Sequence, residues 1–79
     1  MVSKVILYST PMCPYCHMAA DFLKQNNVKY VEYDVSSDHA KAKEMIQKSG
    51  QTGVPVIDID GTVIPGFDVP EIKKALGLK

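Results

Sequence analysis

The alternation of hydrophobic and polar positions along this 79-residue chain changes period several times, and each change marks an element. Val5-Ile6-Leu7-Tyr8 is an unbroken apolar, β-favouring run, which predicts a central strand covered on both faces. After a loop over residues 10–14, Cys16, Ala19, Ala20 and Leu23 recur at i, i+3, i+4 and i+7. That spacing is one face of a helix ending near Asn26-Asn27. Over residues 28–35 the period falls to two: Val31, Tyr33 and Val35 alternate with Glu32 and Asp34, a half-buried strand near a sheet edge.

Ser36-Ser37-Asp38 then offers helix N-caps. Ala42, Met45, Ile46 and Ser49 mark a second amphipathic face that Gly50 closes. Residues 54–59 and 62–64 read as strands joined by Asp60-Gly61, a dipeptide that favours a two-residue hairpin turn. Asp68-x-x-Glu71 resembles a capping box, and Val69, Ile72 and Leu76 supply the apolar face of a closing helix. The order β-α-β-α-β-β-α is an α/β pattern. Its opening strand–helix–strand implies a right-handed parallel crossover, and its hairpin adds an antiparallel pair, so a mixed sheet flanked by helices is expected.

Length and charge narrow the function. Residues 1–79 make one expected domain, near the lower limit for a single hydrophobic core. A bridge between Cys13 and Cys16 closes too small a loop to stabilise much, so these cysteines are not explained by stability. Nine basic and nine acidic side chains cancel, which points away from nucleic acid or an anionic membrane as partner. No apolar run approaches the roughly 20 residues of a membrane span. The segment up to Tyr8 is too short for a secretory signal, so a cytoplasmic protein is expected. In that compartment a C-x-x-C is more often catalytic or metal-binding than structural.

Cys13 falls where a loop becomes a helix, a place where unpaired N–H groups and the helix dipole favour a thiolate. Cys16, one turn on, lies on the apolar face and is expected to be shielded. Cys13 is then the attacking sulfur and Cys16 the one that displaces product from a mixed disulfide, with Pro14 fixing the first helical position. A zinc site fits less well. Its four ligands would be Cys13, Cys16, His17 and His39, but His17 directly follows Cys16 and the histidines lack the usual spacing, so no metal is expected. His17 shares the Cys13 side of the helix and either tunes the sulfur or is simply a solvated polar residue. His39 reads as surface.

The second constellation is GQTGVPVIDIDGTVIPGFD. Val54-Pro55 places a proline at a strand start, where it cannot donate to the ladder. If that bond is cis, the Val54 backbone turns outward to pair with a peptide-like ligand; a trans proline is the plain alternative. Gly66 brings bare backbone to the surface, Phe67 follows it, and Asp68 either caps the last helix or binds an ammonium group.

With both segments placed, the chain resembles the glutaredoxin family over nearly its whole length. Cys13-Pro14-Tyr15-Cys16 matches the dithiol motif at the end of the first strand, Gly53-Val54-Pro55 matches T-V-P with its cis proline, and Pro65-Gly66-Phe67-Asp68 matches G-G-x-D. The resemblance implies a thioredoxin fold with a four-stranded sheet and a glutathione-dependent oxidoreductase. Such an enzyme acts on disulfide-containing or glutathionylated proteins, uses glutathione as co-substrate and works as a monomer. It also implies that Cys13 becomes glutathionylated and Cys16 resolves. Glutathione would lie across Tyr15, Val54, Pro55, Gly66, Phe67 and Asp68, with Gln51 near its glycyl carboxylate. Thr10 replaces a lysine common in the family, Gly53 the threonine, Pro65 the first glycine and Val69 a commonly acidic residue. The Pro65-Gly66-Phe67 run is also similar to the S-G-F of NrdH-type redoxins, so a donor reduced by thioredoxin reductase is an alternative. A non-enzymatic [2Fe–2S]-binding module is another, although the second cysteine argues against it.

Overall fold

The computed structural model describes residues 4–78; residues 1–3 and 79, part of the expected 1–79 domain and N-terminal segment, lie outside the described residues. Its elements are β1 (Val5–Ser9), α1 (Pro14–Gln25), β2 (Val31–Asp34), α2 (His39–Ser49), β3 (Val56–Ile59), β4 (Thr62–Pro65) and α3 (Val69–Leu76). The sheet order is β2-β1-β3-β4. β1 runs parallel to β2 and antiparallel to β3, and β3 is antiparallel to β4. This is the thioredoxin fold that the sequence resemblance implies.

The apolar run of β1 is buried at all five positions because β1 lies between two strands with helices on both faces. Val5 and Leu7 meet Ala19, Ala20 and Leu23 of α1, Ile57 and Ile59 of β3, Ile64 of β4 and Ile72 of α3. On the other face, Ile6 and Tyr8 cluster with Val56 and with Met45 of α2. The large apolar side chains of β1 and β3, with Ile64 of β4, are thereby removed from water, the main driving force available to so short a chain.

Element ends follow local chemistry. The second strand is shorter than the alternation suggests: Asn27 turns left-handed (φ 57°) and the Val28 N–H still bonds to Leu23 O at 2.9 Å, so Val28 belongs to the exit of α1. The third strand starts at Val56, two residues later than the sequence suggests, because Pro55 has no N–H to give the ladder. Asp60 and Gly61 both have positive φ (51° and 93°), the conformation of a tight hairpin turn. Asp38 caps α2 through the Lys41 N–H and Asp68 caps α3 through the Glu71 N–H.

The face that α2 presents to the sheet departs from the apolar pattern. Met45 is buried, but Ile46 is 40% exposed. Lys41, Glu44 and Lys48 lie at helical spacing with Met45, and their polar ends meet Tyr33, Tyr8 and Asp58. The long charged side chains run their stems along the sheet, so they occupy space that the sequence pattern assigns to Ile46.

Candidate functional site

The parallel β1-α1-β2 crossover carries the β1–α1 loop to the C-terminal end of the central strand, where such sheets place their sites. The Cys13 N–H bonds to Thr10 O at 3.3 Å, closing a turn, and His17 Nε2 reaches Pro11 O at 2.8 Å. His17 therefore staples the loop, a role that neither sequence reading anticipated. Pro14 opens the helix, and Cys13 is its N-cap, with an extended backbone (φ −98°, ψ 112°). Its side chain does what a serine or aspartate does at such a cap: Cys13 Sγ accepts the Cys16 N–H at 3.3 Å.

The two thiols are unpaired and differ in access: Cys13 is half-buried and Cys16 is buried. Burial pushes the Cys16 thiol up to about 12, reinforced by its hydrogen bond to Cys13, while the Thr10 backbone acts in the opposite direction and the Glu32 charge adds to the rise. Cys16 is thus a neutral thiol near pH 7, and Cys13 is the more accessible of the two sulfurs. Beside it in the sequence, Met12 and Tyr15 are exposed apolar side chains.

The other predicted segments converge on this point by separate tethers. Cys13 Sγ stands 3.9 Å from Val54 O, at the cis Val54-Pro55 bond. Pro55 O in turn accepts the Gly66 N–H at 2.7 Å, fastening the 65–67 turn beside it. Phe67 packs edge-on against Phe22 of α1, with ring centroids 6.2 Å apart. Tyr15, Gln51 and Asp68 are exposed at the margins of this bonded group. Gln51 follows the end of α2, where its N–H donates to Ser49 Oγ and its carbonyl accepts from the same hydroxyl. Asp68 is held as the α3 cap while remaining open to solvent.

His39 begins α2 and is exposed, as expected. Among the described residues no group of three or more His, Cys, Asp or Glu is placed to hold a metal ion. Two residues that the sequence reading passed over, Ser9 and Glu32, share a cleft wall with Cys16. The signal for them lay in the parallel pairing, which sets the acidic half of the β2 alternation beside the end of β1.

An accessible thiol capping a helix, with a buried thiol one turn behind it on a thioredoxin fold, defines a thiol–disulfide oxidoreductase. The comparisons agree. The glutaredoxin family model matches residues 5–64. A glutaredoxin-like 8.6 kDa protein of the rubredoxin operon in Clostridium pasteurianum, described as uncharacterized, is 44% identical over 70 residues, covering 89% of this chain and 93% of that one. The crystal structure of the thioredoxin-like protein BC3987 superposes with a TM-score of 0.86 at 35% identity, over 91% of this chain and 99% of that one. A buckwheat glutaredoxin–glutathione complex gives a TM-score of 0.75 at 25% identity, over 94% and 70% of the respective chains. The chain belongs to the glutaredoxin family.

Proposed function

We propose that this protein is a dithiol glutaredoxin that uses glutathione to reduce protein disulfides and glutathione mixed disulfides. The observation that carries this reading is the approach of Cys13 Sγ to Val54 O at 3.9 Å, with the Gly66 turn fastened to Pro55 behind it. A tripeptide whose sulfur is bonded to Cys13 comes within reach of the Val54 backbone. Asp68 offers a carboxylate for its ammonium group, and Tyr15 and Gln51 flank the remainder. The buckwheat glutaredoxin solved with glutathione, similar in fold and 25% identical, supports the same ligand.

In the forward reaction the Cys13 thiolate attacks the glutathione sulfur of a mixed disulfide, and the protein thiolate leaves with the bonding electrons. A second glutathione thiolate then attacks the Cys13-bound glutathione, giving glutathione disulfide and restoring Cys13. With a protein disulfide as substrate, Cys16 attacks Cys13 instead and expels the second protein thiol. Glutathione reduces the resulting Cys13–Cys16 disulfide.

A second reading is supported by Thr10, which stands where many glutaredoxins carry a lysine that would attract an anionic tripeptide. It is also supported by the 35% identity to the thioredoxin-like protein BC3987. On that reading electrons come from thioredoxin reductase. The deciding experiment is turnover of a glutathione mixed disulfide with glutathione, glutathione reductase and NADPH, set beside reduction of the oxidised protein by thioredoxin reductase and NADPH. Turnover with glutathione alone is expected. Reduction by thioredoxin reductase alone overturns the proposal in favour of the second reading.

A further inference from the structure

Parallel pairing of β1 and β2 sets Leu7 opposite Glu32 and Ser9 opposite Asp34. Glu32 and Asp34 therefore stand on the sheet face that carries Leu7 and is covered by α1. At the end of β1 this face borders an open cleft of about 390 Å³, walled by Ser9, Cys16, His17, Glu32 and Asp34 among others. Cys16 is buried but lines this cleft, whose wall also carries the carboxylates of Glu32 and Asp34.

The titratable groups around Cys16 are Cys13 and His17 from the loop and α1, and Glu32 and Asp34 from β2; β1 contributes the uncharged Ser9. Asp34 Oδ1 accepts from the Ser36 N–H and hydroxyl and so serves its own turn. His17 is bound to Pro11 O. Glu32 differs: the buried Ser9 hydroxyl donates to Glu32 Oε2 at 2.6 Å, holding the carboxylate against the end of β1.

We propose that Glu32, positioned by Ser9, is the proton acceptor for Cys16 when Cys16 resolves a mixed disulfide on Cys13. The inference rests on the reading of Cys16 as the resolving thiol. The Cys16 proton passes to the Glu32 carboxylate through water in the cleft. The Cys16 thiolate forms a bond to Cys13 Sγ, the bond from Cys13 Sγ to the substrate sulfur breaks, and the substrate leaves as a thiolate with the electron pair. Glu32 then returns its proton to solvent.

A buried thiol needs such an acceptor. Burial, the largest cause, holds the Cys16 pKa well above the ordinary thiol value, so little of it is ionised near pH 7 without help. The negative charge of Glu32 also raises that pKa, so its two effects have opposite signs. Removing a mere charge speeds resolution, whereas removing a base slows it.

The test mixes the reduced protein with stoichiometric dithiobis-nitrobenzoate, without glutathione. Attack by Cys13 releases the first coloured thiolate and ring closure by Cys16 releases the second. In Glu32→Gln the second release is expected to slow roughly tenfold or more at neutral pH, within the range of general-base effects. It should depend more steeply on pH, approach the wild-type rate in alkali where Cys16 ionises unaided, and recover when formate is added. A second phase as fast as wild type, or faster, in Glu32→Gln overturns the inference. A second phase that persists unchanged in Cys16→Ser instead overturns the resolving role of Cys16, and the inference with it.

Discussion

Lys48 Nζ of α2 lies 2.7 Å from Asp58 Oδ2 of β3, an ion pair on the face of the sheet away from the α1 side. The same ammonium donates to the Tyr8 hydroxyl at 2.9 Å, and Tyr8 donates to Glu44. Burial alone would lower the Lys48 pKa; the bonds to Asp58 and Tyr8 raise it overall. Asp58 is 10% exposed at its side chain and Lys48 31% exposed, so the pair is screened on one side only. Lys48→Met is expected to cost about 1–3 kcal/mol, below the full cost of breaking a buried pair because solvent still reaches the ammonium. Urea unfolding of Lys48→Met, Asp58→Asn and the double variant checks this; strictly additive losses would show that the pair is not coupled.

On the proposed mechanism the sulfurs of Cys13 and Cys16 have separable tasks. Cys13→Ser is expected to lose all exchange activity, because a serine hydroxyl caps the helix but does not attack disulfides. Cys16→Ser should keep deglutathionylation and lose most reduction of protein disulfides. Parallel assays on a glutathione mixed disulfide and on a protein disulfide distinguish the two, and equal loss of both activities in Cys16→Ser contradicts the assignment.

Gly66 sits at φ 85° with its N–H bonded to Pro55 O, and no other atom lies within 4 Å of where a Cβ would stand. Gly66→Ala is therefore free of clashes but forces a side chain into left-handed backbone, at a cost of about 1 kcal/mol. The turn is expected to shift away from Cys13, raising KM for glutathione several-fold with a small change in kcat. Steady-state kinetics at varied glutathione reads the split, and an unchanged KM would remove the turn from the binding surface.

Alkali should weaken the reduced protein. Cys16 is raised from an ordinary 9.0 to about 12, Tyr8 is raised from 10.0 by burial and its bond to Glu44, and Lys48 is raised from 10.5. Each raised group binds its proton more tightly when folded. Its contribution is complete below the unfolded pKa and is lost as pH climbs through the folded one. For Cys16 that window runs from 9.0 to about 12. Tm followed across it by circular dichroism should fall less steeply in Cys16→Ala than in wild type, both kept reduced.

Much of this architecture was legible before any coordinates. The α1 face came through intact, with Cys16, Ala19, Ala20 and Leu23 all buried, because apolar periodicity reports burial directly. The Asp60-Gly61 turn and the Asp38 and Asp68 caps were readable because each solves a local backbone problem. The α2 face was legible only in part: Met45 is buried as the pattern requires, but Ile46 is exposed. The burial of Asp58 in β3 was not legible either, since it depends on Lys48 arriving from α2. In the site, the motifs located Cys13, Val54 and Gly66, but the hydrogen bond of His17 and the placement of Glu32 depend on contacts between elements that no local pattern encodes.

The sulfur of Cys13, the reacting atom of the proposed mechanism, is also the cap of α1. In a disulfide it becomes a neutral divalent sulfur, a poorer acceptor for the Cys16 N–H than a thiolate. On the proposed mechanism, disulfide formation at Cys13 is therefore expected to weaken the hydrogen bond at the Cys16 amide, which makes that amide a gauge of the electron content of the protein.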